Sequence, residues 1–100
     1  MLKKYTPTQI KDALQNFNST LNEEWCIENN KLYKTFIFKN FNSAFEFMEK
    51  VAADAERLNH HPEWSNLYNK VEIMLITHDV NGISNRDFEL AKAIETNLIK

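Results

Sequence analysis

One glycine, two prolines and one cysteine in one hundred residues exclude several kinds of protein at once. So little Gly and Pro leaves no room for a flexible linker or a low-complexity segment, and the length fits a single domain over residues 1–100 with one core. The lone Cys26 can form neither an internal disulfide nor a cysteine-rich metal site, which fits a reducing, cytoplasmic setting. As a reactive thiol it lacks the adjacent basic residue or helix start that would activate it. No apolar run approaches the ~20 residues of a membrane span, and residues 1–5 carry no apolar core of a signal peptide. The chain is therefore expected to be soluble, with no membrane partner. A net charge of −2 without any Lys/Arg run argues against direct contact with nucleic acid.

What is present is enough apolar and aromatic residue, 43% and 12%, to fold rather than stay disordered. Thr6-Pro7-Thr8-Gln9 reads as a capping box with proline in the first turn. Ile10, Ala13, Leu14 and Phe17 then share one face of a helix ending near Asn18. Residues 24–28 and 32–38 read as strands joined by Asn29-Asn30, a pair that tolerates positive φ. The second strand carries bulk on both alternating sets, Leu32/Phe36/Phe38 and Tyr33/Ile37, so one of its faces is expected to meet something beyond the chain's own helices, most simply another subunit.

Phe41, Ala44, Phe45, Met48, Val51, Ala52, Ala55 and Leu58 recur at helical spacing and predict a long helix with this stripe as core. Pro62 stops it near residues 59–61. Residues 71–78 read as a strand, with Val71, Ile73, Leu75 and Thr77 on one face and Glu72, Met74, Ile76 and His78 on the other. A shorter strand over 64–68 pairs with it through Asn69-Lys70. After Asp79-Val80-Asn81-Gly82, Ser84 begins a last helix with Phe88, Ala91, Ile94 and Leu98 inward. The order α-β-β-α-β-β-α predicts an α+β fold: a four-stranded, mostly antiparallel sheet with helices packed on one face.

All three histidines, His60, His61 and His78, fall within nineteen residues. Adjacent His60 and His61 point in different directions, and no Cys pair or His-x-x-x-His accompanies them, so no metal site is expected. A single histidine at a helix end is ordinarily just a favourable partner of the helix dipole. Here Pro62 fixes the pair at the mouth of a loop, His78 is expected at a strand end on the sheet rim, and Trp64 offers a flat wall. Such a rim suits a planar heteroaromatic ligand whose chemistry moves protons near neutral pH.

The run Glu56-x-x-x-His60-His61-Pro62-Glu63-Trp64, followed by Asn66-x-Tyr68-Asn69-Lys70-Val71, Thr77-His78-Asp79 and Gly82-Ile83-Ser84-x-x-Asp87-x-x-Leu90-Ala91, closely resembles the pterin-4a-carbinolamine dehydratases. That family is also called the dimerisation cofactors of a homeodomain transcription factor, and the resemblance covers about residues 25–94. It implies a hydro-lyase of tetrahydrobiopterin recycling. Such an enzyme dehydrates 4a-hydroxytetrahydrobiopterin to quinonoid dihydrobiopterin and water, without metal or cofactor. It further implies that His60 and His78 are general acids and that His61 holds the substrate. Pro62, Trp64, Glu56 and Asp87 would lie around the pterin. Glu56 has an alternative reading as a solvated helix glutamate, and Asp87 as the acidic partner of a capping box, which is compatible with a place at the site. Arg86 matches the family too but reads more simply as a surface charge. Asn59 departs from the aspartate that many members carry there. The resemblance also implies a homodimer or homotetramer, and an alternative function as a non-catalytic module that stabilises a partner protein's dimer.

Overall fold

The computed structural model describes residues 2–98; Met1, Ile99 and Lys100, the ends of the expected 1–100 domain, lie outside the described residues. Its elements follow the predicted order: α1 (Pro7–Asn18), β1 (Cys26–Glu28), β2 (Lys31–Ile37), α2 (Phe41–Leu58), β3 (Glu63–Leu67), β4 (Lys70–Leu75) and α3 (Asn85–Leu98). A 3-10 turn, His78–Val80, separates β4 from α3. The strands lie in the order β1-β2-β4-β3, and every neighbouring pair is antiparallel.

Local chemistry sets the element ends as expected. Thr6 Oγ1 accepts the Gln9 N–H while Gln9 Oε1 accepts the Thr6 N–H, so both halves of the capping box form. Asn29 and Asn30 both take positive φ, 51° and 62°, in the two-residue β1–β2 turn, the conformation that matches the right-handed twist of a hairpin. Asn40 caps α2 through Oδ1 on the Ser43 N–H.

Alternation along the strands sorts the sheet into two faces. Leu32, Lys34 and Phe36 of β2 and Val71, Ile73 and Leu75 of β4 are buried on the helix side. Phe17, Trp25, Ala44, Phe47, Val51, Phe88 and Ile94 complete the core. Lys34 is held there by the Glu95 carboxylate of α3 at 2.6 Å and the Glu23 carbonyl at 2.8 Å. Glu95 also accepts the Trp25 indole N–H. The opposite face, with Tyr33, Ile37, Leu67 and Met74, carries no helix among the described residues, and Ile37 and Leu67 stand exposed.

Three expectations about the elements need correction, the simplest being that Leu98 of α3 faces inward: it is 39% exposed. The stripe of α2 that faces inward is Ala44, Phe47, Val51 and Ala55, whereas Phe41 and Phe45 are 46% and 47% exposed and stack on each other. Rows at i+3 and i+4 from Ala44 run both ways round a helix, and only one row can meet the sheet. Phe47 takes the inward place by packing between Phe36 and Phe38, at 5.0 and 4.9 Å between ring centroids. The last strand ends at Leu75 rather than at His78, because β2 and β3 supply partners only as far as Leu32 opposite Leu75 and Glu63 opposite Met74. Beyond them the chain curls, with only an isolated bridge between Thr77 and Gly82.

Candidate active site

His60 owes its position to the way α2 ends. Asn59 adopts the left-handed conformation at φ 51°, the Asn59 N–H donates to the Glu56 carbonyl, and the His60 N–H donates to the Ala55 carbonyl at 3.0 Å. This is the Schellman arrangement, which favours Gly or Asn at the left-handed residue and fixes the direction of the residue after it. His60 is thereby turned inward, 8% exposed, while His61 stays at the surface.

Beneath His60 lies Asp87, fully buried in the first turn of α3. Its Oδ1 is 2.6 Å from His60 Nε2, and its Oδ2 accepts from the Thr77 hydroxyl at 2.9 Å and the Ser84 N–H at 3.0 Å. Ser84 Oγ in turn accepts the Arg86 N–H. Asp87 is therefore both a capping carboxylate and the partner of His60. Every buried side-chain polar atom among the described residues has a partner. Nδ1 of His60 has no hydrogen-bond partner among the described residues and so is not sealed in.

The other two histidines repeat the pattern at the surface. His61 Nε2 lies 2.5 Å from Glu56 Oε2, one helical turn back on α2, and His78 Nε2 lies 3.1 Å from Glu63 Oε2. Glu63 Oε1 meets Lys31 Nζ at 2.5 Å, and chiefly this ammonium, with a smaller contribution from His78, holds the Glu63 carboxyl below its ordinary range. Each ring thus has its own carboxylate at Nε2 and offers Nδ1. Among the described residues no group of three His, Cys, Asp or Glu side chains is placed to hold a metal ion.

His60, His61 and His78 line one open cleft of about 210 Å³, with Asn59, Ile76, Thr77, Asp79 and Arg86. A larger groove of about 650 Å³ between α1 and α3 is lined by Tyr5, Phe17, Leu21 and Phe88 among others and contains no histidine. Proton-transfer groups, not volume, decide between the two.

The remaining expected site residues fall into place unevenly. Glu56 and Asp87 stand behind the cleft, each against a histidine, and Pro62 follows α2 without lining it. Trp64 is not a wall of the cleft: it stands opposite Ile73, on the helix side of the sheet, and packs on the core. The parity of β3 dictates this, since Glu63 and Ser65 face the open side and Trp64 must face the other. Ile76 supplies the apolar contact instead. Arg86, read as a surface charge, lines the cleft beside the histidines. Glu63 was not singled out from sequence, and the available signal was its position two residues after His61 on a strand whose next residue is a core tryptophan.

The chain, as sequence and as fold, matches a known family. The family profile described as pterin 4 alpha carbinolamine dehydratase matches residues 3–97, and the chain belongs to that family. A Prochlorococcus marinus protein described as a candidate pterin-4-alpha-carbinolamine dehydratase is 51% identical over 85 residues, which is 85% of this chain and 88% of that one. The pterin-4-alpha-carbinolamine dehydratase of Drosophila melanogaster is 54% identical over 71 residues, 69% of this chain but 37% of that protein. Among solved structures, one described as a transcriptional coactivator/pterin dehydratase from Brucella melitensis superposes with a TM-score of 0.83 at 35% identity, covering 93% of this chain and 96% of that one.

Proposed function

We propose that this protein dehydrates 4a-hydroxytetrahydrobiopterin to quinonoid dihydrobiopterin and water within tetrahydrobiopterin recycling, by histidine general acid–base catalysis and without a metal. The observation that carries the reading is the single cleft lined by three histidines, each engaged by a carboxylate at Nε2. A planar pterin fits an open cleft with Ile76 on one side and imidazoles around it. The C4a–O bond breaks as His60 or His78 delivers a proton from Nδ1 to the departing hydroxyl, which leaves as water. The pterin ring gives up a proton, and a return to the imidazole restores the acid. His61 holds the substrate at the exposed edge. Asp87 and Glu56 act through the rings they touch, as positioning residues. Arg86, within the same cleft, faces the polar edge of the ligand.

The test is the rate at which purified protein dehydrates synthetic 4a-hydroxytetrahydropterin. A general acid or base contributes roughly 10²- to 10⁴-fold, so His60→Ala and His78→Ala should each lower kcat by at least about 10²-fold. Parent protein no faster than the uncatalysed reaction, or both variants as fast as the parent, would reject the assignment.

One observation favours a second reading, a non-catalytic module that stabilises a partner's dimer. The stacked pair Phe41–Phe45 stands exposed on α2, and large exposed aromatics side by side mark contact surfaces. The same pair suits a homodimer or homotetramer of this chain. A cytoplasmic location fits its single free thiol.

A further inference from the structure

We propose that Glu63 is the positioning residue of His78: anchored by Lys31, it fixes the ring at Nε2 so that Nδ1 is the atom His78 presents to a ligand in the cleft. The inference rests on the dehydratase reading for its kinetic consequence but not for its geometry. His78 sits on a 3-10 turn outside the sheet, and its side chain is 74% exposed, so the turn alone leaves the ring free to change rotamer. Its one hydrogen-bond partner among the described residues is Glu63 Oε2 at 3.1 Å.

An ion pair between two exposed, flexible side chains is ordinarily worth little, since ordering both chains offsets the attraction. Here only one chain remains to be ordered. Glu63 is a strand residue, registered opposite Met74 in β4, and its other oxygen is already taken by Lys31 at 2.5 Å from across the sheet. Lys31 and Glu63 are both only partly exposed, 28% and 38%, on the open face. The carboxylate is therefore in place before the histidine meets it. A ring held at Nε2 by a carboxylate donates there, so Nδ1 accepts a proton from a ligand when the ring is neutral and donates one when the ring is doubly protonated. His60 and His61 are engaged at Nε2 in the same way, so all three rings present the same nitrogen.

The experiment compares the full chain with Glu63→Ala, Glu63→Gln and Lys31→Met. Three-bond NMR couplings about the Cα–Cβ bond of His78 report its rotamer, and steady-state kinetics report kcat and KM separately. The parent should show a single His78 rotamer, Glu63→Ala an averaged one, Lys31→Met a partly averaged one, and Glu63→Gln, whose one oxygen is shared between Lys31 and His78, one intermediate between Glu63→Ala and the parent. In step, Glu63→Ala should lower kcat by about two- to fivefold, the range of an exposed pair, with KM unchanged and with a smaller fall in Glu63→Gln. Averaged couplings already in the parent, a single rotamer retained in Glu63→Ala, or rotamer averaging without any fall in kcat would each overturn the proposal. A parent protein inactive on the pterin would reject the dehydratase reading alone, because the couplings still decide whether Glu63 holds the ring.

Discussion

Replacing Asp87 by asparagine keeps the shape of the buried side chain and removes its charge, and the consequences can be worked out atom by atom. The Oδ2 position accepts from the Ser84 N–H and the Thr77 hydroxyl. Because the backbone donor cannot rotate away, the amide must place its oxygen there. Its NH2 then faces His60 Nε2, where the carboxylate oxygen now lies at 2.6 Å. Two donors cannot share that line, so the ring must accept through Nε2 and carry its proton on Nδ1, and its doubly protonated form loses its partner. Hydrogen bonds to a charged group contribute about 1.5–3 kcal/mol against about 0.5–1.5 for neutral ones. Weakening two of them costs about 2 kcal/mol, and relief of the buried charge offsets part of it. A net loss of about 1–2 kcal/mol lowers the melting temperature by roughly 4–16 °C in a domain of this size. Catalysis should suffer more than stability, with kcat down by about 10²-fold or more at temperatures where the variant is fully folded. Thermal denaturation and dehydration kinetics on the same preparation check both. Asp87→Asn melting with the parent and turning over at the parent's rate would refute the reasoning.

Lys34→Met should destabilise by about 3 kcal/mol in urea denaturation, because it strands the Glu95 carboxylate, only 13% exposed. Adding Glu95→Gln, which still accepts from the Trp25 indole, should recover at least half of that. Glu63, held low chiefly by Lys31, and Glu72, held low chiefly by the Tyr33 hydroxyl, both have carboxyls depressed from an ordinary 4.5. Their contribution to stability is present above that pH and is lost as pH falls through the folded values. The urea midpoint should therefore drop on acidification below about pH 4.5, and less steeply in Glu63→Gln. Phe41→Ser with Phe45→Ser, which removes two half-buried, stacked rings, should lower monomer stability by about 1–2 kcal/mol. If the pair forms a subunit contact, light scattering should show a smaller assembly.

Much of this arrangement can be read in the sequence because local rules and tertiary packing agree there. The capping box at Thr6, the Asn29-Asn30 turn and the Pro62 stop act over a few residues and need no knowledge of the rest of the chain. What escaped depends on neighbours distant in sequence. The alternation from Val71 to His78 is unbroken, yet the strand ends when its partners end. The inward row of α2 is chosen by Phe36 and Phe38 rather than by α2. Trp64 looks like part of the histidine cluster because it is close in the chain, but strand parity puts it on the other side of the sheet. The Lys31–Glu63–His78 chain joins residues from two strands and a turn, and its spacing carries no pattern.

The loop that bears His78 has a fastening at the far end of the chain. The Tyr5 N–H donates to the Ile83 carbonyl at 2.7 Å, and the Tyr5 ring stacks on Phe88. Lys4 lies so close over Gly82 that an added Cβ would come within 2.6 Å of its Cε. Residues ahead of α1 therefore act as a latch on the turn between Thr77 and Ser84. In hydrogen-exchange terms, the amides of Tyr5, Thr77 and Gly82 should open together as one unit, ahead of the slow core of the sheet. Whatever loosens Lys4 and Tyr5 should shorten the time for which His78 stays in place, even while the rest of the protein remains folded.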